Sequence, residues 1–282
     1  MISQLTILAP GLLGGSIARA AREKEVARRI VIWARRPEVR HALAAEPWCD
    51  LAAESPEVAV RSAGLVVIAA PVDAILPLAA RVAAHLAPGT VVTDVGSVKT
   101  KIAREGPAAV GVSAHFVGSH PMAGSEQTGW EHGSAKLFER RTCFVTPLPA
   151  TDHHALTLVS HFWRDLGGEV ATVEPQLHDE IVAHISHLPQ ALASALCAFL
   201  AAKDPGWRDF AGSGLRDTTR IAGSDPNLWR TILQQNREPV LAALRQFQLE
   251  LAGLEAALSA GDWEVVTALL ARGQAYRRGL RI

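Results

Sequence analysis

The sequence predicts an α/β fold: a mostly parallel sheet with helices on both faces, followed by an all-helical C-terminal domain. Three observations predict it. Short apolar runs alternate with helix-like segments from Met1 to Glu174. A glycine-bearing turn joins the first of those runs to the first helix. After Pro175 no strand pattern recurs, and apolar residues return at helical spacing.

Gln4–Ala9 (QLTILA) is short, apolar and closed by Pro10-Gly11, so it reads as a buried strand. Gly14–Val26 has helical composition. Arg29–Ala34 is a second strand and Pro37–Glu46 a second helix. Gly64–Val72 (GLVVIAAPV) is a third strand ending at Pro71, and the helix after it, Ala74–Leu86, is interrupted or started by Pro77. Gly89–Gly96 is a fourth strand. Ala114–Pro121, Arg141–Pro147 and Glu169–Pro175 add three shorter ones. The stretch from Phe116 to Trp130, FVGSHPMAGSEQTGW, is rich in glycine and reads as an irregular loop carrying His120 and Glu126. Asp179–Ala202, Asp225–Leu258 and Asp262–Arg278 are helical. The domains are therefore 1–174 and 175–282.

Composition removes several classes. The 282 residues suffice for one large domain or two ordinary ones, and 49% are hydrophobic, enough for a sizeable core. Lys plus Arg equals Asp plus Glu at 28 each, so no basic excess points to nucleic acid or an anionic membrane. Three cysteines, far apart, suit a reducing compartment and show no metal-ligand spacing. The apolar N-terminus lacks the preceding positive charge of a signal peptide. No run reaches the roughly 18 apolar residues of a membrane span. The expected location is the cytoplasm.

The turn after the first strand, APGLLGGS, is compared with the dinucleotide fingerprint G-x-G-x-x-G. Here it reads Ala9-Pro10-Gly11-Leu12-Leu13-Gly14. Gly11 lets the backbone of the loop, with Leu12 and Leu13, approach a pyrophosphate. Gly14 lets the helix pack closely on the strand. The helix N-terminus adds unpaired donors and partial positive charge. Ala9 in the first glycine slot is a departure, tolerated only if that residue need not adopt a positive φ. The alternative is a glycine-rich turn with no ligand. The strand–turn–helix context favours a Rossmann-type nucleotide-binding domain. Pro71 and Ser97 follow the carboxyl ends of strands, where such sheets face their ligand. The second strand ends in Ala34, Arg35 and Arg36 rather than in an acid for a ribose hydroxyl. A 2′-phosphate would meet no repulsion there and one arginine could pair with it, so NADP is favoured over NAD. The alternative is that both arginines are solvated charges.

Five segments then resemble, in order, the motifs of the prephenate and arogenate dehydrogenases of tyrosine biosynthesis: APGLLGGS, DVGSVK, GSHPMAGSEQTGW, LHDEIVAHISHLPQ and GLRDTTRIAGSDPNLW. The resemblance runs from about Leu5 past Trp229. It implies a cyclohexadienol substrate with a ring carboxylate. Hydride passes from the hydroxyl-bearing carbon to a nicotinamide and carbon dioxide is lost. His120, by its match to the family's HPMAG histidine, becomes the base for the hydroxyl proton, a task suited to a side chain of near-neutral pKa. Ser97 becomes the residue that positions the same hydroxyl. Arg220 becomes the partner of the ring carboxylate, which a guanidinium fork fits. Glu126 and Asp217 become acids pairing around that arginine at the pocket entrance, and Trp229 a pocket wall. Members of the family pair through the helical half, so a homodimer is implied.

Each assignment has a plainer alternative. His120 could be a buried structural histidine, Ser97 the N-cap of the next helix, Arg220 a surface ion pair and Trp229 plain core. Pro189 disfavours helical geometry at Leu188, and the kink would turn His187 and Gln190 toward the cleft. Many relatives carry histidine where this chain has Gln190, which leaves prephenate against arogenate open. His184 and His187 are spaced like a metal pair, but no third ligand accompanies them and no metal is expected. Rival readings are a 3-hydroxyacid dehydrogenase or imine reductase, and a nucleotide-sensing regulator without chemistry. The HPMAGSE loop argues against the first, and the set of His120, Ser97 and Arg220, which a sensor would not need, against the second.

Overall fold

Aliphatic and β-branched runs become the strands of one eight-stranded sheet in a computed structural model that describes residues 1–124 and 127–280. The strands are β1 (Ile2–Leu8), β2 (Ala27–Trp33), β3 (Leu51–Ala52), β4 (Leu65–Ile68), β5 (Val91–Asp94), β6 (His115–Pro121), β7 (Thr142–Thr146) and β8 (Glu169–Thr172). Their spatial order is β3-β2-β1-β4-β5-β6-β7-β8. β1 to β6 run parallel, β7 is antiparallel to β6, and β8 is parallel to β7. The first six reproduce the strand order of a dinucleotide-binding sheet, whose crevice opens where the order reverses, between β1 and β4.

Alternate residues of each central strand feed opposite cores, as a sheet covered on both faces requires. Ile7, Ile30, Ile32, Leu65 and Val67 join one cluster with Ile17, Phe162 and Trp163. These come from α1 (Leu12–Glu23) and, after the short helices α2 (Pro37–Ala44) and α3 (Pro56–Ala59), α4 (Val72–Val82) and α5 (Thr100–Val110), from α6 (His153–Asp165). Val31, Trp33, Val66 and Ile68 join the other cluster, with Ile75 and Leu78 of α4 and Ile102 of α5. The two-residue β3 and four-residue α3 escaped the sequence reading because elements so short carry no period. The helix after β4 starts at Val72 and holds Pro77 inside it.

Two features differ from expectation. The expected strand Ala114–Pro121 and the expected loop Phe116–Trp130 overlapped at His120; the strand holds there, and His120 lies within β6. The pairing of His120 with Phe144 and of Pro121 with Cys143 carries the strand to Pro121, and the glycine-rich connection starts only there. Leu188 is helical (φ −61°, ψ −50°). α7 (Pro175–Val182) passes through a π turn at Ala183–His187 into α8 (Leu188–Ala201), and the wider turn accommodates the missing N–H of Pro189. Pro175–Ala201 is thus one continuous helix of 27 residues, long and apolar enough by composition to cross a membrane. The sequence reading, which carried a kinked helix from Asp179 to Ala202, looked for an unbroken apolar run, and His184, Ser186, His187 and Gln190 interrupt it. The buried face of this helix carries the polar side chains of His178, Asp179, His187 and Gln190.

The chain forms two compact units, Met1–Asn236 and Arg237–Ile282. The first holds the sheet together with α7, α8, α9 (Ser213–Thr219) and α10 (Pro226–Gln235). α7 stays with the sheet because Asp179 accepts the backbone N–H groups of Lys99 (2.7 Å) and Thr100 (2.8 Å) at the start of α5. The second unit is a helical hairpin of α11 (Arg237–Ala260) and α12 (Trp263–Gly279). Gly261 turns the chain at φ +68°, Asp262 caps α12 by accepting Val265 N–H at 3.1 Å, and Arg272 bonds Glu250 at 2.9 Å.

Candidate active site

The glycine loop has the geometry that a pyrophosphate needs. Gly11 is the N-cap of α1; among the described residues no side chain caps this helix, and no acid stands in its first turn. Its first N–H groups are therefore left for a ligand. A Cβ at Gly11 would meet nothing within 4 Å, whereas one at Gly14 would lie 3.1 Å from Ala69 Cβ and 3.2 Å from Ile7 Cγ2. Gly14 thus lets α1 press onto β1 and β4, and Gly11 leaves room for a bound group. Ala9 corrects the sequence reading: its φ is +59°, the left-handed conformation that its methyl disfavours. The loop takes the glycine geometry without the glycine.

From this loop a cleft of ≈ 1310 Å³ extends within the first unit. Leu12, Leu13 and Pro71 line it near the loop; Ser97 and His120 follow; Gln190, Arg220 and Trp229 line it as well. His120 and Arg220, some hundred positions apart in sequence, thus share one cavity. Gly124 and Gly129 turn the connection after β6, with φ of +158° and +99°. Lys136, Arg140 and Arg141, from the connection between β6 and β7, add three cations to the wall that the sequence reading did not single out.

His120 is 9% exposed. Its Nδ1 lies 2.9 Å from His178 Nε2, and His178 Nδ1 lies 2.8 Å from Asp179 Oδ1. Behind them Lys99 is fully buried with its Nζ bonded to Asp94, whose carboxylate also accepts Gly96 N–H at 2.8 Å. Burial, then the neighbouring His178 and Lys99, hold the His120 imidazole well below its usual pKa. Burial likewise lowers His178 and, against the pull of Asp94, Lys99. Burial pushes Asp179 up, but the hydrogen bonds from His178, Thr100 and Lys99 outweigh it and hold the carboxyl below its usual range. The ring facing the cleft is therefore a neutral base. His178, Asp179, Lys99 and Asn236 are parts of this site that the sequence reading missed. His178 and Asp179 stand inside the quoted LHDEIVAHISHLPQ segment, and an adjacent histidine and acid was the available signal.

Other expected residues fall in different places. Ser97 does not cap α5; the cap is Asp179, supplied from α7. His187 is 1% exposed and is absent from the lining of the cleft: its Nδ1 lies 3.0 Å from Asn236 Nδ2 and its ring packs edge-on to Trp229. His187 ends the π turn and goes to the interior, while Gln190, in the first turn of α8, lines the cleft. Asn236 also donates to Asp179 O at 2.8 Å. His184 is exposed and bonds Glu180 O, so the two histidines do not converge. Asp217 is exposed on α9 and does not line the cleft. Arg35 and Arg36 are exposed beyond the end of β2, with Arg36 Nε 3.7 Å from Glu38. Glu126 lies outside the described residues.

Comparison with known proteins agrees with this architecture. Residues 17–172 match the prephenate dehydrogenase nucleotide-binding domain, and residues 174–272 the prephenate dehydrogenase dimerization domain. The cyclohexadienyl dehydrogenase of Zymomonas mobilis is 30% identical over 287 residues, covering 100% of this chain and 97% of its own. Prephenate dehydrogenase from A. aeolicus, solved with hydroxyphenyl propionate and NAD+, superposes with a TM-score of 0.92 at 31% identity, covering 99% and 98% of the two chains. Synechocystis arogenate dehydrogenase gives 0.84 at 28% identity, covering 98% and 99%. A sheet in dinucleotide-binding order, a cleft shared by His120 and Arg220, and family matches running from residue 17 to residue 272 place this chain in the prephenate dehydrogenase family.

Proposed function

We propose that this chain oxidatively decarboxylates prephenate or arogenate with hydride transfer to a nicotinamide dinucleotide, in tyrosine biosynthesis. The observation that carries the reading is the single cleft joining the uncapped N-terminus of α1, His120 and Arg220. A dinucleotide fits the residues present: its pyrophosphate would lie against Gly11, Leu12 and Leu13, and Pro71 would flank it. When bound, it supplies the acceptor for hydride. The remaining work belongs to the protein. Ser97 positions the substrate hydroxyl. His120, neutral because it is buried, takes the hydroxyl proton as the carbonyl forms. Arg220 holds a substrate carboxylate, and Gln190 and Trp229 border the rest of the ring. Aromatisation on loss of carbon dioxide drives the reaction forward.

Within this reading NADP is favoured over NAD. What supports it is the absence of an acid after β2, where Arg35 and Arg36 stand instead. We also infer a homodimer through the helical hairpin. The large side chains of Leu249, Trp263, Leu270 and Tyr276 are exposed on it, and the matching family model is described as a dimerization domain. The three free cysteines suit a cytoplasmic enzyme.

The test is a rate assay by reduced-nicotinamide absorbance, with both substrates crossed against both cofactors, on the wild type and His120→Asn. The reading expects turnover with at least one substrate. It expects the variant to lose about two to four orders of magnitude in kcat with cofactor KM intact. Wild-type turnover by the variant would remove His120 from the chemistry.

A further inference from the structure

We propose that Asp179 and His178 are positioning residues: through a two-imidazole chain they fix which nitrogen of His120 faces the substrate, and they share the charge that His120 acquires. The inference rests on the proposed base role of His120. The donors can be assigned from the carboxylate outward. Asp179 Oδ1 accepts Lys99 N–H and Oδ2 accepts Thr100 N–H, and an ionised carboxylate has only acceptors to offer. His178 Nδ1, 2.8 Å from Oδ1, must then carry the proton. A neutral imidazole protonated on Nδ1 has its lone pair on Nε2. His120 Nδ1, 2.9 Å from that lone pair, must donate to it. The lone pair of His120 is left on Nε2, the nitrogen not engaged by His178, on a ring that lines the cleft. The buried carboxylate on α7 therefore sets the tautomer of a base on β6.

The same chain matters when the base is used. His120 Nε2 takes the hydroxyl proton; the O–H bond breaks, its electron pair becomes the carbonyl bond, and hydride leaves that carbon for the nicotinamide. The resulting imidazolium points Nδ1–H at His178 Nε2, with the negative charge of Asp179 behind it. The other neighbours do not supply this. Lys99 opposes a proton on either ring, and His187 opposes one on His120. Asp94 favours a proton on His178 but is occupied by Lys99 Nζ, Gly96 N–H and Ser119 N–H. The Cys143 thiol, pushed up by burial, stays neutral. Among the described residues Asp179 is the carboxylate that reaches the ring pair by a hydrogen bond.

The test uses four variants of the full chain: His178→Phe, His178→Gln, Asp179→Asn and His120→Asn. Phe keeps a ring against Phe144, 5.1 Å away between centroids, but breaks the chain. Gln retains one donor and one acceptor. Asp179→Asn removes the negative charge behind the ring pair and leaves a backbone N–H, of Lys99 or of Thr100, facing an amide N–H. The proposal expects His178→Phe and Asp179→Asn to lose about 10- to 100-fold in kcat, with both KM values within about threefold. The acidic limb of the Asp179→Asn kcat–pH profile should move to lower pH, because the imidazolium has lost the negative charge behind it. His178→Gln should recover about tenfold over His178→Phe. A wild-type kcat in His178→Phe, an unshifted profile in Asp179→Asn, a loss confined to KM, or Gln no better than Phe would overturn it. If His120→Asn is impaired while His178→Phe is not, the positioning proposal alone falls. If both run at wild-type rate, the base role falls and takes the proposal with it.

Discussion

Replacing Ala9 by glycine removes one methyl from a left-handed residue, and the structure gives the size of the effect. A non-glycine residue at φ +59° costs roughly 1–2 kcal/mol. Glycine returns about 0.5–1 kcal/mol of that through the greater freedom of its unfolded chain. Ala9 also packs, partly buried, against the cluster of Val31 and Ile68, so its methyl contributes less than the ~0.8 kcal/mol of a fully buried carbon. The balance leaves Ala9→Gly about 0.5 kcal/mol more stable. For a chain of this length that is a rise in Tm of about 1–2 °C. The assay is a thermal melt at fixed protein concentration and pH, without dinucleotide. Cofactor KM should stay within about twofold, because the loop already has the required backbone. A Tm lowered by about a degree or more would refute the reasoning, since strain would then be too small to outweigh chain entropy and the lost contact.

Arg220→Ala should raise KM for the substrate about tenfold or more with a smaller change in kcat, read from initial rates; an unchanged KM would remove its carboxylate role. Arg35→Ala should weaken NADP more than NAD, and equal losses measured by titration would show the 2′-phosphate argument to be wrong. Stability should fall in acid. Burial lowers the folded-state pKa of His187 to about 4, against 6.5 for the ordinary group. The unfolded chain therefore binds a proton that the folded one refuses. The stability is fully present above about pH 6.5 and is lost as pH falls toward 4, worth about 2 kcal/mol between pH 7 and pH 5. Buried His120 and His178 act in the same direction. Denaturant midpoints at the two pH values check this, and an equal or higher midpoint in acid would contradict it.

The parts of the molecule that were legible in the sequence are those with a local period or a local motif. The central strands repeat apolar residues without interruption because both sheet faces are buried, and the glycine loop is written within eight residues. His120, Ser97 and Arg220 were found through motif resemblance, and the cleft brings them together. What was not legible depends on contacts across the fold. Nothing around Thr100 says that its helix is capped by a carboxylate 79 positions later. Nothing around His187 says that a π turn will send it inward while Gln190, three positions on, reaches the cleft. The positive φ at Ala9 went the other way from expectation, because a local preference worth about a kilocalorie yields to the geometry of the turn between β1 and α1.

A crystal structure with a dinucleotide and a ring-hydroxylated product analogue such as hydroxyphenyl propionate tests the central claim most directly. The account predicts one ring between His120 and Arg220, its hydroxyl within about 3 Å of His120 Nε2 and its opposite end, where the substrate carries the ring carboxylate, toward the Arg220 guanidinium. A ring bound outside that space, or an analogue contacting one of the two side chains while the other faces solvent, would contradict it.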